Sequence, residues 1–147
     1  VSESFLQRAM VPVASRDNAA ATTAALAPYV DAAGGTVVVL HVIEKAGGAL
    51  DKASVEQREL AAREIFAVVS DGLEDAEAPL ETEIRYGTDV AETIVDAAHD
   101  VDASAIVFTP RTGSRWKKLL SGDVTHKLLD ASDVPILVLP DRPVGDA

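Results

Sequence analysis

The apolar positions of this chain alternate between two spacings. Residues 9–14 (AMVPVA) and 36–43 (TVVVLHVI) are short apolar runs, the second almost wholly β-branched. Runs of this kind predict strands buried on both faces of a parallel sheet. Between them, AAATTAALAPYVDAA predicts an alanine-rich helix, capped by Asp17 or Asn18, kinked or broken around Pro28 and ended by Gly34-Gly35. Ser54-Val55-Glu56-Gln57 has the spacing of a capping box and opens the longest amphipathic helix, with Val55, Ala62, Ile65, Phe66, Val69 and Leu73 on one face. Leu80, Thr82, Ile84 and Tyr86 then alternate with Glu81, Glu83 and Arg85, which predicts a half-buried strand near a sheet edge. Thr88 or Asp89 caps a helix that turns Val90, Ile94, Ala97 and Val101 inward. A fourth strand over 104–109, a helix from Gly122 or Asp123 to about Ala131 and a fifth strand from Val134 to Leu139 complete the series.

Strict β-α alternation implies right-handed crossovers and a sheet covered on both sides. The expected fold is α/β: one doubly wound domain over residues 1–147, with a five-stranded parallel sheet in order 3-2-1-4-5 and two helices on each face. In that order the connections after the first and fourth strands leave to opposite faces, which opens a crevice at their carboxyl ends. Ala14, Ser15, Thr109 and Pro110 are the residues this topology brings to it.

Composition changes the picture in three ways. A length of 147 residues with 48% hydrophobic content suits one core, and no Pro/Gly/Ser-rich linker divides the chain. Thirteen basic against 24 acidic residues give a net charge of −11, which argues against nucleic acid and anionic membrane as partners and suits a salt-rich cytoplasm. The absence of cysteine excludes disulfides, thiolate zinc sites and cysteine nucleophiles together. No apolar run approaches the roughly 20 residues of a spanning helix, and VSESFLQR has no signal-peptide core, so a soluble cytoplasmic protein is expected.

Candidate chemistry is sparse. His41, His99 and His126 are isolated and read as surface or packing residues, without metal-ligand spacing. Ser15, Ser114 and Ser121 lack a nucleophile elbow, and no triad or other catalytic set can be assembled. Glu56, Glu59 and Glu64 read as the solvated face of the second helix. Arg111, Arg115, Lys117 and Lys118 put four of the thirteen basic residues into eight positions, with no acid between Asp102 and Asp123. They are a solvated loop, a partner for acids of a neighbouring subunit, or a site where charge holds an anion or nucleotide. Trp116 among them reads as a packing anchor for the loop.

Several segments in order, VPVASRDNAAATTAAL, LHVI, YGTDVAETIVDAA and KLLSGDVTHKLLDASDVPILVLP, resemble the universal stress protein family over essentially the whole chain. The resemblance implies a nucleotide pocket over Val13, Ala14, Val42, Thr109, Arg111, Thr112, Gly113, Gly122, Asp123, Val124 and Thr125. ATP-binding members carry Gly-x2-Gly-x9-Gly followed by Ser or Thr, and an acid at the end of the first strand. Here only the third glycine is kept, as Gly122. Thr109 and Thr112 stand at the first two, Asp123 follows Gly122, and Ala14 replaces the acid. Threonine brings a branched Cβ where backbone N–H groups approach phosphate, Asp123 sets a carboxylate against it, and Ala14 accepts no hydrogen bond. Gly113 could stand in for Thr112 in a tighter loop.

The expected protein is therefore a non-catalytic stress-response module with a degenerate ATP motif, which binds ATP or another anionic ligand weakly at most. The alternative is a nucleotide-binding regulator or slow ATPase that uses Gly122 and the basic loop. A regulatory domain of a longer transporter rests on family habit alone. A homodimer through the strand Val134 to Leu139 is also expected, because that apolar edge carries only Pro135 against pairing, and members of the family commonly pair there.

Overall fold

β1 (Arg8–Pro12) lies at the centre of the sheet, and the structure, a computed structural model, describes residues 6–33, 35–45, 52–76, 78–109 and 122–139 around it. The chain continues through α1 (Arg16–Ala33), β2 (Thr36–Glu44), α2 (Lys52–Gly72), a 3-10 turn at Glu74–Ala76, β3 (Leu80–Gly87), α3 (Val90–Asp100), β4 (Ala105–Phe108), α4 (Gly122–Ala131) and β5 (Ile136–Val138). The strands form one parallel sheet in the order β3-β2-β1-β4-β5. Both the α/β class and the strand order are those expected from the alternation.

Two apolar clusters sandwich the sheet. Ala9, Val11, Val37, Val39 and Val107 meet Leu26 and Val30 of α1 and Ile65 and Val69 of α2. On the other face Met10, Val38, Leu40, Ile106 and Phe108 meet Ile94 and Ala98 of α3 and Leu128 of α4. The two-residue period of the strands thus distributes one nearly continuous apolar run to both faces. β3, at one edge, has no fully buried residue.

Several local features differ from the sequence reading. α1 is not interrupted at Pro28, because that residue lies on the exposed side, where water can take the carbonyl that proline's missing N–H frees. The cap of α1 is Ser15, whose Oγ accepts from the Asn18 N–H at 3.1 Å, not Asp17 or Asn18. α2 begins at Lys52, so Ser54 lies inside its first turn and does not cap it. Asp89 does cap α3, accepting from the Glu92 N–H at 3.1 Å. The far end of α3 closes with Asp102 at φ 56°, where the Asp102 N–H donates to the His99 carbonyl and the Ala103 N–H to the Ala98 carbonyl. The first and last strands in the chain are shorter than their apolar runs: β1 stops at Pro12 and β5 covers Ile136–Val138.

α1 and α2 touch closely where the last residue of α2, Gly72, meets Thr23 in the middle of α1. A Cβ on Gly72 would stand 2.3 Å from the Thr23 Cγ2, and Thr23 is buried and β-branched, so it has little freedom to yield. Gly72→Ala is expected to destabilise the fold by about 1–3 kcal/mol despite alanine's better helix propensity. Thr23→Ala in the same chain should recover most of the loss, as read from urea midpoints.

Candidate functional site

Two neighbouring strands of unequal length create the site. The last β1 residue paired with β2 is Pro12, opposite Leu40, after which the Val13 N–H donates to the Leu40 carbonyl at 2.9 Å and the chain turns into α1. β2 continues beside β3 as far as Glu44, opposite Gly87. In a strand the N–H and C=O of one residue point to the same edge, and the edges alternate. The Thr36 N–H and Leu40 carbonyl bond to β1 and its flanks, whereas the Val37 and Lys45 N–H groups bond towards β3. By that parity the N–H and C=O of Val42 face the edge that β1 has already left.

β1 also parts early from its other neighbour. The Ser104 N–H donates to the Arg8 carbonyl and the Arg8 N–H to the Ser104 Oγ, so even-numbered β1 residues face β4. Pro12 is one of these and has no hydrogen to donate, and the β1–β4 pairing ends at Met10 opposite Ile106.

A cleft of about 360 Å³ occupies the space over the end of β2. Ala14, His41, Val42, Ile43, Glu44, Arg58, Ala61, Ile65 and Val90 line it. Glu59 of α2 accepts a hydrogen bond from the Tyr86 hydroxyl of β3, which holds the cleft-facing turns of α2 against the sheet. That carboxylate raises the Tyr86 pKa above the usual phenol value, chiefly through the hydrogen bond, so the tie persists to higher pH. Glu44 and Arg58 stand exposed on the rim. Arg8, Arg16 and Arg85 pair with carboxylates, but Arg58 has no acidic partner among the described residues. The His41 Nδ1 lies 2.9 Å from the Val13 carbonyl. The arrangement offers a backbone donor and acceptor side by side, walls of Ala61, Ile65 and Val90, and a cation at the mouth, which suits a flat heteroaromatic ring with a polar edge.

Beside the cleft a chain of buried polar groups closes the turn between β1 and α1. The Asn18 Oδ1 accepts from the Ala14 N–H at 2.7 Å, the Asn18 Nδ2 approaches the Thr22 Oγ1 at 3.4 Å, and the Thr22 and Thr109 hydroxyls lie 2.9 Å apart. Asn18 and Thr109 are fully buried and Thr22 is 1% exposed. Mutual hydrogen bonding is what makes such burial tolerable.

Of the pocket residues expected from the sequence, Ala14 and Val42 line the cleft. The Val13 side chain is core, and its carbonyl holds His41. The Thr109 hydroxyl is turned to Thr22 and not to the cleft. Gly122 opens α4, with Asp123, Val124 and Thr125 in its first turn. Pro110, Arg111, Thr112, Gly113 and the basic segment with Arg115, Trp116, Lys117 and Lys118 lie outside the described residues. His41, Glu44, Arg58, Ala61, Ile65 and Val90 were not foreseen, although a polar residue inside the apolar run TVVVLHVI was a visible signal. Glu59, expected to be solvated, holds Tyr86. His99 and His126 are exposed, with the His99 Nε2 on Asp133 at 2.7 Å. Among the described residues no cluster of His, Asp and Glu could hold a metal ion, and no helix is long and apolar enough to cross a membrane.

The universal stress protein family model matches residues 6–140. Stress response protein NhaX of Bacillus subtilis (strain 168) is 36% identical over 76 residues, which span 52% of this chain and 45% of that protein. The chain therefore matches less than half the length of that relative. The universal stress protein from Archaeoglobus fulgidus superposes with a TM-score of 0.70 at 23% identity, over 90% of this chain and 98% of that one. A structure of the universal stress protein from Archaeoglobus fulgidus in complex with dAMP superposes at 0.68 with 21% identity, over 92% and 99%.

Thr22→Val leaves the buried Thr109 hydroxyl and Asn18 Nδ2 without Thr22, and Thr109→Val leaves the Thr22 hydroxyl with only Asn18 Nδ2 at 3.4 Å; each is expected to cost about 1–3 kcal/mol. The double variant removes both polar groups and should cost less than the sum of the two, with a coupling of about 0.5–3 kcal/mol in urea unfolding. Strict additivity would show that the 2.9 Å contact contributes nothing.

Proposed function

The chain belongs to the universal stress protein family, and from that premise we propose that it is a cytoplasmic, non-catalytic stress-response protein that binds a purine nucleoside or its monophosphate. The observation that carries this reading is the pair of Val42 backbone groups facing an apolar cleft beyond the end of β1. A donor and an acceptor on one strand edge match the alternating edge of a heteroaromatic base, and Ala61, Ile65 and Val90 supply apolar cover. The dAMP complex of the Archaeoglobus fulgidus protein supports the choice of ligand class. The triphosphate end of the site is degenerate in this reading: Thr109 and Thr112 stand where the motif has glycine, Asp123 where it has a hydroxyl, and Ala14 where it has an acid.

A second reading, an ATP-binding regulator or slow ATPase, is favoured by one observation. Arg58 stands at the mouth of the cleft with no carboxylate among the described residues to neutralise it, and could hold a phosphate. Titration calorimetry with adenosine, AMP and ATP with Mg²⁺ separates the two. Adenosine and AMP are expected to bind, ATP no more tightly than AMP, and Ala61→Trp, which fills the cleft, to weaken all three by more than about tenfold. A submicromolar ATP dissociation constant, about 8 kcal/mol, with AMP far weaker would select the second reading.

The protein also acts as a homodimer joined through β5 in this proposal, and not as a binder of nucleic acid. β5 is an edge strand with Val138 50% exposed, and Leu129 of α4 is 58% exposed. A second copy related by a twofold axis would pair the strand edge and cover both side chains. With −11 on each chain, the dimer should tighten as salt rises. Light scattering on the native protein and on Leu129→Lys/Val138→Lys, from low to high salt, is expected to show a dimer and a monomer respectively. Equal masses for the two at every salt would rule out this surface.

A further inference from the structure

His41 interrupts the apolar run of β2 with a polar ring, and its surroundings decide what that ring can do. Its Nδ1 lies 2.9 Å from the Val13 carbonyl. A carbonyl only accepts, so the proton sits on Nδ1, and a neutral imidazole then presents Nε2 as a bare acceptor. The half-buried ring lines the cleft, and its Nε2 has no partner among the described residues. The Nε2 of His99, by contrast, meets Asp133 at 2.7 Å. Among the described lining residues the β1 side of the cleft has no side-chain acceptor: Ala14 carries none, and its N–H is committed to Asn18 at 2.7 Å. The other acceptors are the Val42 carbonyl and, out on the exposed rim, the Glu44 carboxylate.

We propose that His41 is a specificity-determining residue, whose Nε2 accepts a hydrogen bond from the exocyclic amino group of an aminopurine and rejects an oxopurine. The proposal rests on the reading of the cleft as a purine site. A 6-amino group has two hydrogens. If one is taken by the Val42 carbonyl while the Val42 N–H donates to the ring nitrogen beside it, the second is left to the imidazole. A 6-oxo group turns lone pairs towards both acceptors, and its ring N–H faces the Val42 N–H. Sites built around a polar group discriminate strongly against an analogue with the opposite pattern, because their own groups are then left unpaired. The hydrogen bond to Val13 is what makes the reading one-sided, since a neutral His41 cannot move its proton to Nε2 without losing that bond.

The test is calorimetric titration of the native protein, His41→Ala and His41→Phe with adenosine, inosine and purine riboside, which lacks the 6-substituent. The native protein is expected to prefer adenosine to purine riboside by about tenfold or more, and to inosine by a wider margin. In both variants the adenosine advantage should fall to within about threefold, with purine riboside affinity nearly unchanged, which also shows that the cleft has kept its shape. An adenosine preference that survives in either folded variant overturns the role of His41 and leaves the purine site standing. Folded variants that lose all three ligands together assign His41 to the cleft wall and overturn the proposal. A native protein that binds none of the three overturns the purine reading and this inference with it.

Discussion

The site depends on one imbalance, that β1 stops before the strands beside it have finished. Pro12 is central to this. Its nitrogen faces β4 but carries no hydrogen, and the pairing on that side ends at Met10. On the other side Val13 makes one more bond to Leu40, and the chain then leaves the sheet for α1. β2 runs on to Glu44 with only β3 beside it. An unpaired strand edge inside a parallel sheet would be costly if it were dry, because backbone polar groups need partners. Here it opens into a cleft, where solvent or a ligand can supply them.

The turn that vacates this space is itself held by polar groups out of water. Ser15 caps α1, Asn18 reaches back to the Ala14 N–H, and Thr22 carries the chain to Thr109 at the end of β4. The links tie the first turns of α1 to the last described residue before the basic segment. Thr109 has therefore a structural use for its hydroxyl, and the glycine that the nucleotide motif would place there could not supply it.

The fold was legible because its signals are long: β-branched runs, a wide amphipathic helix and an alternating edge strand each span many residues, and local errors do not alter their order. Boundaries were less legible. The apolar runs of β1 and β5 extend past the pairing, because Val13 and Leu139 continue into the core after the ladder has ended. The unbroken α1 at Pro28 depended on which side of the helix faces solvent, which only packing decides. Of the residues that strand order brings to the crevice, Ala14 lines the cleft, whereas Val42 was reached only through the family resemblance. The α2 wall of the cleft was not legible, since Arg58 and Ala61 look like ordinary members of a solvated face until the helix is docked. His41 was visible as an exception in its run, but its meaning depends on the Val13 carbonyl, and that requires register.

The two ends of such a site differ in how they can be altered. In the proposed reading the base end is made of Val42 backbone groups, whose position follows from sheet register, so no side-chain replacement there removes them without disturbing β2 itself. The phosphate end of the family motif depends on positions where a side chain must be absent, and any replacement of glycine fills the approach with a Cβ. In the proposed reading, side chains at Thr109, Thr112 and Asp123 weaken a triphosphate cradle while the strand edge still presents its donor and acceptor. With net charge −11, repulsion of a polyanion works in the same direction.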